Sequence, residues 1–294
     1  MIIDVHPSSR KSGLNTATTP TASRRPQIRR HTILGHELRV AVWPGDAAQA
    51  PLLIFNGIGS RLELLAPFVE QLDAAREVIV FDIPGTGESP APRLPYRLWM
   101  MARLTARLLD ALGRDQVVVM GVSWGGLLAQ QFALQEARRC RQLILAATAP
   151  GALMVPGKLR TLRKMATPRR FTDHGYLRQH FGTLYGGLAR TSPQLFHEFG
   201  ELAKPPSRRG YLYQQLALTG WTSLPFLPLL RQPTLILAGN DDPLVPLINA
   251  RMMARLVPHS TLTVFDDGHL FLFSKARECA AAIDAFSSGR PGSA

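Results

Sequence analysis

The sequence predicts an α/β fold: a mostly parallel sheet of eight strands flanked by helices, with a helical segment inserted after the sixth strand. Three observations carry this. Six short apolar runs recur along the chain, separated by helix-compatible stretches. Strands buried on both faces read as such runs, and their alternation with helices marks a parallel sheet. One connection, residues 147–233, far exceeds the dozen or so residues that an ordinary crossover needs. Finally, a Gly-x-Ser-x-Gly pattern falls directly after one of the runs.

Taken in order, residues 1–30 are rich in Ser, Thr, Pro and Arg and are expected to form a disordered basic tail. Ile33–Trp43 is expected to fold into a pair of strands turning near Gly35-His36. The core is expected over 31–149 and 233–287. Its six runs are Leu52–Phe55, Val78–Phe81, Val117–Met120, Leu143–Ala146, Thr234–Ala238 and Leu262–Phe265. Residues 150–232 are expected to form a helical cap, or lid, over the carboxyl edge of the sheet, where open α/β sheets bind ligands. Leu159–Met165, Tyr176–Phe181, Gln194–Leu202 and Tyr211–Leu218 read as its helices. Residues 288–294 read as a flexible C-terminus.

Composition narrows the function classes. Apolar residues make up 46% and charged residues 19%, as in a packed globular protein. Cys140 and Cys279 fall in different elements and read as free core thiols in a reducing compartment. No Cys/His cluster suggests a metal. Residues 1–30 lack the apolar run of an export signal, and no stretch is long enough to cross a bilayer, so the expectation is a cytoplasmic protein. The net charge of +13 is uneven: residues 150–232 hold twelve Lys/Arg against Asp173, Glu198 and Glu201, and residues 1–30 hold six against Asp4. Such a field suits either an anionic partner surface or a solubilising face.

The chemistry is carried by Gly121-Val122-Ser123-Trp124-Gly125. Between the run Val117–Met120 and a helix expected over Leu127–Leu134, the glycines permit a sharp turn that lifts the serine hydroxyl above the sheet. A hydroxyl is a poor nucleophile near pH 7 and needs a base, which in turn needs an orienting carboxylate. Both follow at carboxyl ends of strands. Asp242 comes after Thr234–Ala238, and His269 after Leu262–Phe265. Of the eight histidines, only His269 is placed to reach Ser123. Asp241 is the second candidate for the acid and is expected to cap Asp242, while Asp266 and Asp267 read as turn residues. Acyl transfer also needs two N–H donors for the oxyanion. The backbone of Trp124 supplies one, and Ile58 in the loop Phe55-Asn56-Gly57-Ile58-Gly59 is expected to supply the other, unless that loop is only a strand-end turn. The glycine-rich stretch Phe81–Ser89 is no phosphate loop, since no Lys-Ser or Lys-Thr follows it. Its Asp82 and Ser89 read as turn-closing hydrogen bonders.

These residues resemble a family. LLIFNGIGSRLELLAPFVEQL, GVSWGGLLAQQFA, ILAATAPGALMVPGK, GWTSLPFLPLLRQPTLILAGNDDPLVPLIN and DDGHLFLF look like stretches of intracellular medium-chain-length poly(3-hydroxyalkanoate) depolymerases, within the α/β-hydrolase superfamily. The likeness runs from about residue 31 to about residue 286, with Asn56-Gly57 standing where many hydrolases carry His-Gly. It implies a catalytic triad of Ser123, Asp242 and His269, and a two-step ester hydrolysis that needs no cofactor. It also implies a polyester granule with an anionic coat as the partner of the basic cap. The side chains expected to touch substrate are Asn56, Gly57, Met154, Leu270 and Phe271, with Ile58 and Trp124 beside them; each of the apolar ones reads alternatively as core, Met154 more so than the others. Two other classes remain open: a small-molecule carboxylesterase or lactonase, and a catalytically silent hydrolase fold acting as a ligand receptor. Nucleic-acid binding is the weakest alternative, because the basic segment carries no nucleic-acid module.

Overall fold

The strands follow from the apolar runs, whose residues alternate between two cores. In the computed structural model, which describes residues 2–4, 24–46 and 48–288, the strands are β1 (Ile2–Asp4), β2 (Gln27–Ile33), β3 (His36–Trp43), β4 (Leu52–Phe55), β5 (Val78–Phe81), β6 (Val117–Val122), β7 (Cys140–Ala146), β8 (Thr234–Gly239) and β9 (Ser260–Phe265). They form one sheet in the order β1-β9-β8-β7-β6-β4-β5-β3-β2. Pairing is parallel from β1 through β5, while β3 is antiparallel to both β5 and β2. Successive side chains on a strand point to opposite faces. Leu53, Phe55, Val119 and Leu145 therefore join one core, and Leu52, Ile54, Val118 and Ile144 join the other.

The helices cover these faces. The short helix α1 (Ala66–Val69) packs on the second core, and α2 (Leu98–Ala111) on the first. Leu98, Met101, Ala102, Thr105, Leu108 and Leu109 recur at three- and four-residue intervals, which gives α2 a single buried face. Helix α3 (Trp124–Gln135) is buried along most of its length beneath β6 and β7.

Residues between β7 and β8 form five α-helices: α4 (Leu159–Met165), α5 (Arg169–Thr172), α6 (His174–Tyr185), α7 (Pro193–Leu202) and α8 (Arg208–Leu218). Three of them start at side-chain caps. Asp173 accepts from Tyr176 N–H, Ser192 from Leu195 N–H and Ser207 from Gly210 N–H, each satisfying a donor at the first turn. The insert has an aromatic core of its own, where Phe181, Tyr185 and Phe199 lie 5.2–5.6 Å apart between ring centroids. Leu64, Leu244 and Leu270 from the sheet's loops complete it. The chain ends with α9 (Leu247–Leu256), which packs on the first core, and α10 (Phe271–Ser274) and α11 (Ala276–Ser287) on the second. No helix among the described residues is long and apolar enough to cross a membrane.

Three boundaries depart from the sequence-based expectation. Strand β2 begins at Gln27, inside the expected tail, because its edge position lets polar Gln27, Arg29 and Arg30 pair with β3 while facing solvent. Ile2–Asp4 also pairs, in parallel with β9, making a ninth strand. The helical layer also ends before residue 232: Ser223 hydrogen-bonds Gln130, Gln232 bonds the Ala133 carbonyl, and Leu227 lies wholly within the first core. The rest of the tail, residues 5–23, and the C-terminal residues 289–294 lie outside the described residues.

Candidate active site

Ser123 sits between the last residue of β6 and the first of α3, with φ 52° and ψ −115°. A non-glycine residue at such angles is strained by about 1–3 kcal/mol, so its surroundings must hold it there. A Cβ on Gly121 would lie 2.3 Å from the Gly125 carbonyl oxygen, and a Cβ on Gly125 would lie 2.1 Å from that of Phe55. Only glycine fits either position. Thr148 adds a clamp by donating its hydroxyl to the Ser123 carbonyl at 2.7 Å, while Ser123 N–H donates to the Ala146 carbonyl.

The loop after β9 brings His269 to this serine, with Nε2 3.1 Å from Ser123 Oγ. On the other side of the ring, Nδ1 lies 2.6 Å from Asp242 Oδ2. A carboxylate can only accept, so Nδ1 carries the proton and Nε2 is left to accept from the serine hydroxyl. Asp242 is held by its second oxygen, which accepts from Leu244 N–H at 2.8 Å and Val245 N–H at 2.9 Å. Asp242 and His269 are both buried. The structure thus brings together all three residues that the sequence singled out for the relay.

Asp241 does not cap Asp242. It turns the other way, accepts from Gly187 N–H and pairs with Arg190, so that it ties the insert to the sheet. Asp267 is likewise more than a turn residue. Its buried carboxylate accepts from Leu188 N–H in the insert and from Gly268 N–H and Ser274 Oγ. Asp266 accepts from the Asn240 amide. Asp82 closes its turn by accepting from Glu88 N–H, but it also accepts from Leu62 N–H twenty positions away, and Ser89 accepts from Arg39 N–H across fifty positions, so both tie separate segments together as well.

The loop after β4 approaches the serine so closely that a Cβ on Gly57 would lie 3.8 Å from the Ser123 Cβ. Within it, Gly57 N–H is taken by Asn56 Oδ1, Gly59 N–H by Gln214 Oε1 and Ser60 N–H by the Gly57 carbonyl. Among the described residues, no protein acceptor meets the N–H of Ile58 or that of Trp124. Asn56 is buried with both ends of its amide engaged, the nitrogen donating to the Arg61 carbonyl, so its side chain shapes the loop.

Two cavities open at Ser123. One, about 370 Å³, is lined by Ile58, Trp124, Leu127, Ala149, Met154 and Leu218 among others. The second, about 60 Å³, is lined by His269, Asn56, Gly57, Leu270, Tyr185, Phe199 and Arg170 among others. Met154 and Leu270 therefore stand where substrate contacts were expected. Phe271 does not: it is fully buried in the second core, stacked on Phe265 at 5.1 Å, because α10 turns it under the sheet. The insert's contributions, such as Arg170 and Tyr185, carried no motif in the sequence; a lone arginine in a basic segment gives no sign of burial.

Comparison with known proteins agrees with this architecture. Residues 50–276 match the model of the alpha/beta hydrolase fold. The chain is 51% identical over 249 residues to a poly(3-hydroxyalkanoate) depolymerase of Ectopseudomonas oleovorans, covering 85% of this chain and 88% of that protein. It is 26% identical over 237 residues to 3-oxoadipate enol-lactonase 2 of Acinetobacter baylyi, covering 77% and 84%. A hydrolase from Pseudomonas aeruginosa PA01 superposes with a TM-score of 0.76 at 22% identity, covering 88% of this chain and 97% of that one, a likeness of fold alone. The chain belongs to the α/β-hydrolase family, in its poly(3-hydroxyalkanoate) depolymerase group.

Proposed function

We propose that this protein hydrolyses the ester bonds of medium-chain-length poly(3-hydroxyalkanoate) through an acyl-enzyme on Ser123. The observation that carries the reaction class is the continuous hydrogen-bond chain Asp242–His269–Ser123, opening onto a largely apolar cavity. The similarity to the Ectopseudomonas oleovorans depolymerase supports the substrate class.

In this mechanism His269 Nε2 takes the Ser123 proton as Oγ attacks the ester carbonyl. The N–H groups of Ile58 and Trp124 hold the tetrahedral oxyanion, a contribution of about 3–4 kcal/mol per donor in comparable sites. Asp242 fixes the ring and stabilises the imidazolium. His269 then gives the proton to the departing 3-hydroxyl oxygen. In the second step His269 activates a water molecule, which releases a 3-hydroxy acid or short oligomer and restores Ser123. Water is the sole co-reactant, so the chemistry calls for no cofactor. The twelve basic side chains of residues 150–232 would draw the enzyme to an anionic granule coat in the cytoplasm.

A second reading, a small-molecule ester or lactone hydrolase, is favoured by the cavity of about 370 Å³ at Ser123, a size that suits a small molecule, and by the likeness to the enol-lactonase. Hydrolysis of amorphous medium-chain polymer, of poly(3-hydroxybutyrate) and of a soluble p-nitrophenyl ester separates the two. The proposal requires turnover of the medium-chain polymer; turnover of the soluble ester alone would select the second reading.

A further inference from the structure

Arg170, in α5 of the insert, is 3% exposed and lines the smaller cavity together with Ser123 and His269. Its Nη2 donates to the Ile58 carbonyl at 2.9 Å, and its Nη1 to the Tyr211 hydroxyl at 2.8 Å and to Met165 Sδ at 3.2 Å. Its Nε is buried without a partner among the described residues. Every acceptor it has is neutral, and no Asp or Glu lines that cavity. A guanidinium stays protonated in proteins, and a buried charge without a counter-charge costs several kcal/mol. The guanidinium therefore lies in the same cavity as the reacting serine with the Phe171 and Tyr211 rings, 4.3 and 5.6 Å away, but no carboxylate among the lining residues.

We propose that Arg170 is the receptor for the free carboxylate at the end of a polyester chain, so that the enzyme cleaves the terminal ester and releases the last unit. This rests on the depolymerase reading above. The chemistry of the substrate selects the ligand: a polyester of 3-hydroxy acids is neutral along its length and carries one carboxylate, on its last unit. Cleaving the last ester makes that unit the leaving group, with its carboxylate two carbons from the departing oxygen. Two features put the leaving group on the Arg170 side. His269, which must protonate the departing oxygen, lines this cavity and not the larger one. In addition, the guanidinium is bonded to the carbonyl of Ile58, the residue whose N–H is proposed above to hold the oxyanion, and one residue spans at most about 3.6 Å. At about 60 Å³ against about 370 Å³, this cavity is the smaller of the two at Ser123, which suits the chain end better than the long remainder of the polymer. The step balances as an ordinary ester hydrolysis. Ser123 Oγ bonds to the acyl carbon, the carbon–oxygen bond to the terminal unit breaks, the serine proton passes through His269 to that oxygen, and water later releases the shortened chain.

The test compares a soluble 3-hydroxyoctanoate trimer bearing a free carboxylate with its methyl ester, for wild type, Arg170→Gln and Arg170→Lys. Wild type should favour the free acid by roughly 10- to 100-fold in kcat/KM, the effect of a hydrogen-bonded charge pair. Arg170→Gln should bring that ratio close to one, and Arg170→Lys should restore part of it. Equal wild-type rates on the two trimers would overturn the proposal without any variant having to fold. A loss of the same factor on both trimers in Arg170→Gln would also overturn it, leaving Arg170 as an anchor for Ile58. If wild type turns over a p-nitrophenyl ester but neither trimer, the depolymerase reading itself fails, and the chain-end receptor with it.

Discussion

Asp241 and Asp242 are consecutive in the chain, yet their carboxylates hold different parts of the molecule. Asp242 accepts from His269 Nδ1–H at 2.6 Å inside the sheet's loops, whereas Asp241 accepts from Gly187 N–H at 2.8 Å and pairs with Arg190 of the insert. Asp242→Asn should lower kcat by roughly 10⁴-fold, because an amide reverses the tautomer that His269 needs. Asp241→Asn should leave kcat near the wild-type value, since the pair it breaks is largely exposed and such pairs contribute little. Steady-state kinetics on a soluble ester reads both; activity lost in Asp241→Asn and kept in Asp242→Asn would reverse the assignment.

This pair also marks how far the sequence could be read. The relay was legible because each member follows a strongly apolar strand, and strand ends converge at one edge of the sheet. Which way neighbouring carboxylates turn was not, because it depends on Leu244, Val245 and Gly187 N–H groups that only folding brings near. Four of the insert's five α-helices were visible from apolar spacing, α5 being too short to show one, but three of the four start one to three residues earlier, directly after the caps Asp173, Ser192 and Ser207. Strand β2 was hidden because an edge strand can be almost wholly polar. Phe271 follows His269 closely in sequence, but α10 carries it to the far side of the sheet. Arg170 reaches the site across 112 positions of sequence, a contact that no local pattern encodes.

The larger cavity should discriminate by side-chain length. An octanoate unit carries about four methylenes more than a butyrate unit. At about 0.8 kcal/mol per buried methylene the difference is roughly 3 kcal/mol, or about a hundredfold in kcat/KM. Amorphous granules of matched surface area give the ratio. Ala149→Leu, which fills part of the cavity wall, should shrink it. Equal rates on the two polymers with wild type would remove the pocket argument.

The basic segment predicts a salt effect confined to granules. Charge attraction between surfaces falls within a Debye length, about 10 Å at 0.1 M salt and about 3 Å at 1 M. Granule binding should therefore weaken as ionic strength rises, while hydrolysis of a soluble neutral ester should hardly change. Sedimentation with granules across a salt series, paired with the soluble assay, checks this; equal sensitivity in both would eliminate a surface role for the charge.

Glu63 predicts acid sensitivity near the Ile58 loop. Burial alone would raise its pKa, but hydrogen bonds from Arg61 and Arg39 outweigh that and hold it at about 2, against 4.5 ordinarily. A depressed carboxyl pKa stabilises the folded state above pH 4.5, and that contribution is lost as the pH falls towards 2. Glu63→Gln should be less stable than wild type at neutral pH, and its Tm should fall less steeply between pH 4.5 and 2. Thermal unfolding across that range tests it; parallel Tm curves would contradict the coupling.

Polyester hydrolysis at Ser123 underlies every proposal above. The most direct test is the release of 3-hydroxy acids from amorphous poly(3-hydroxyoctanoate) granules by wild type and Ser123→Ala side by side. Wild type should release them, and Ser123→Ala should be slower by as much as about 10⁶-fold, the loss seen when a triad serine is removed. Equal release by the two proteins, or no release by a wild-type enzyme that still cleaves a soluble ester, would contradict the account.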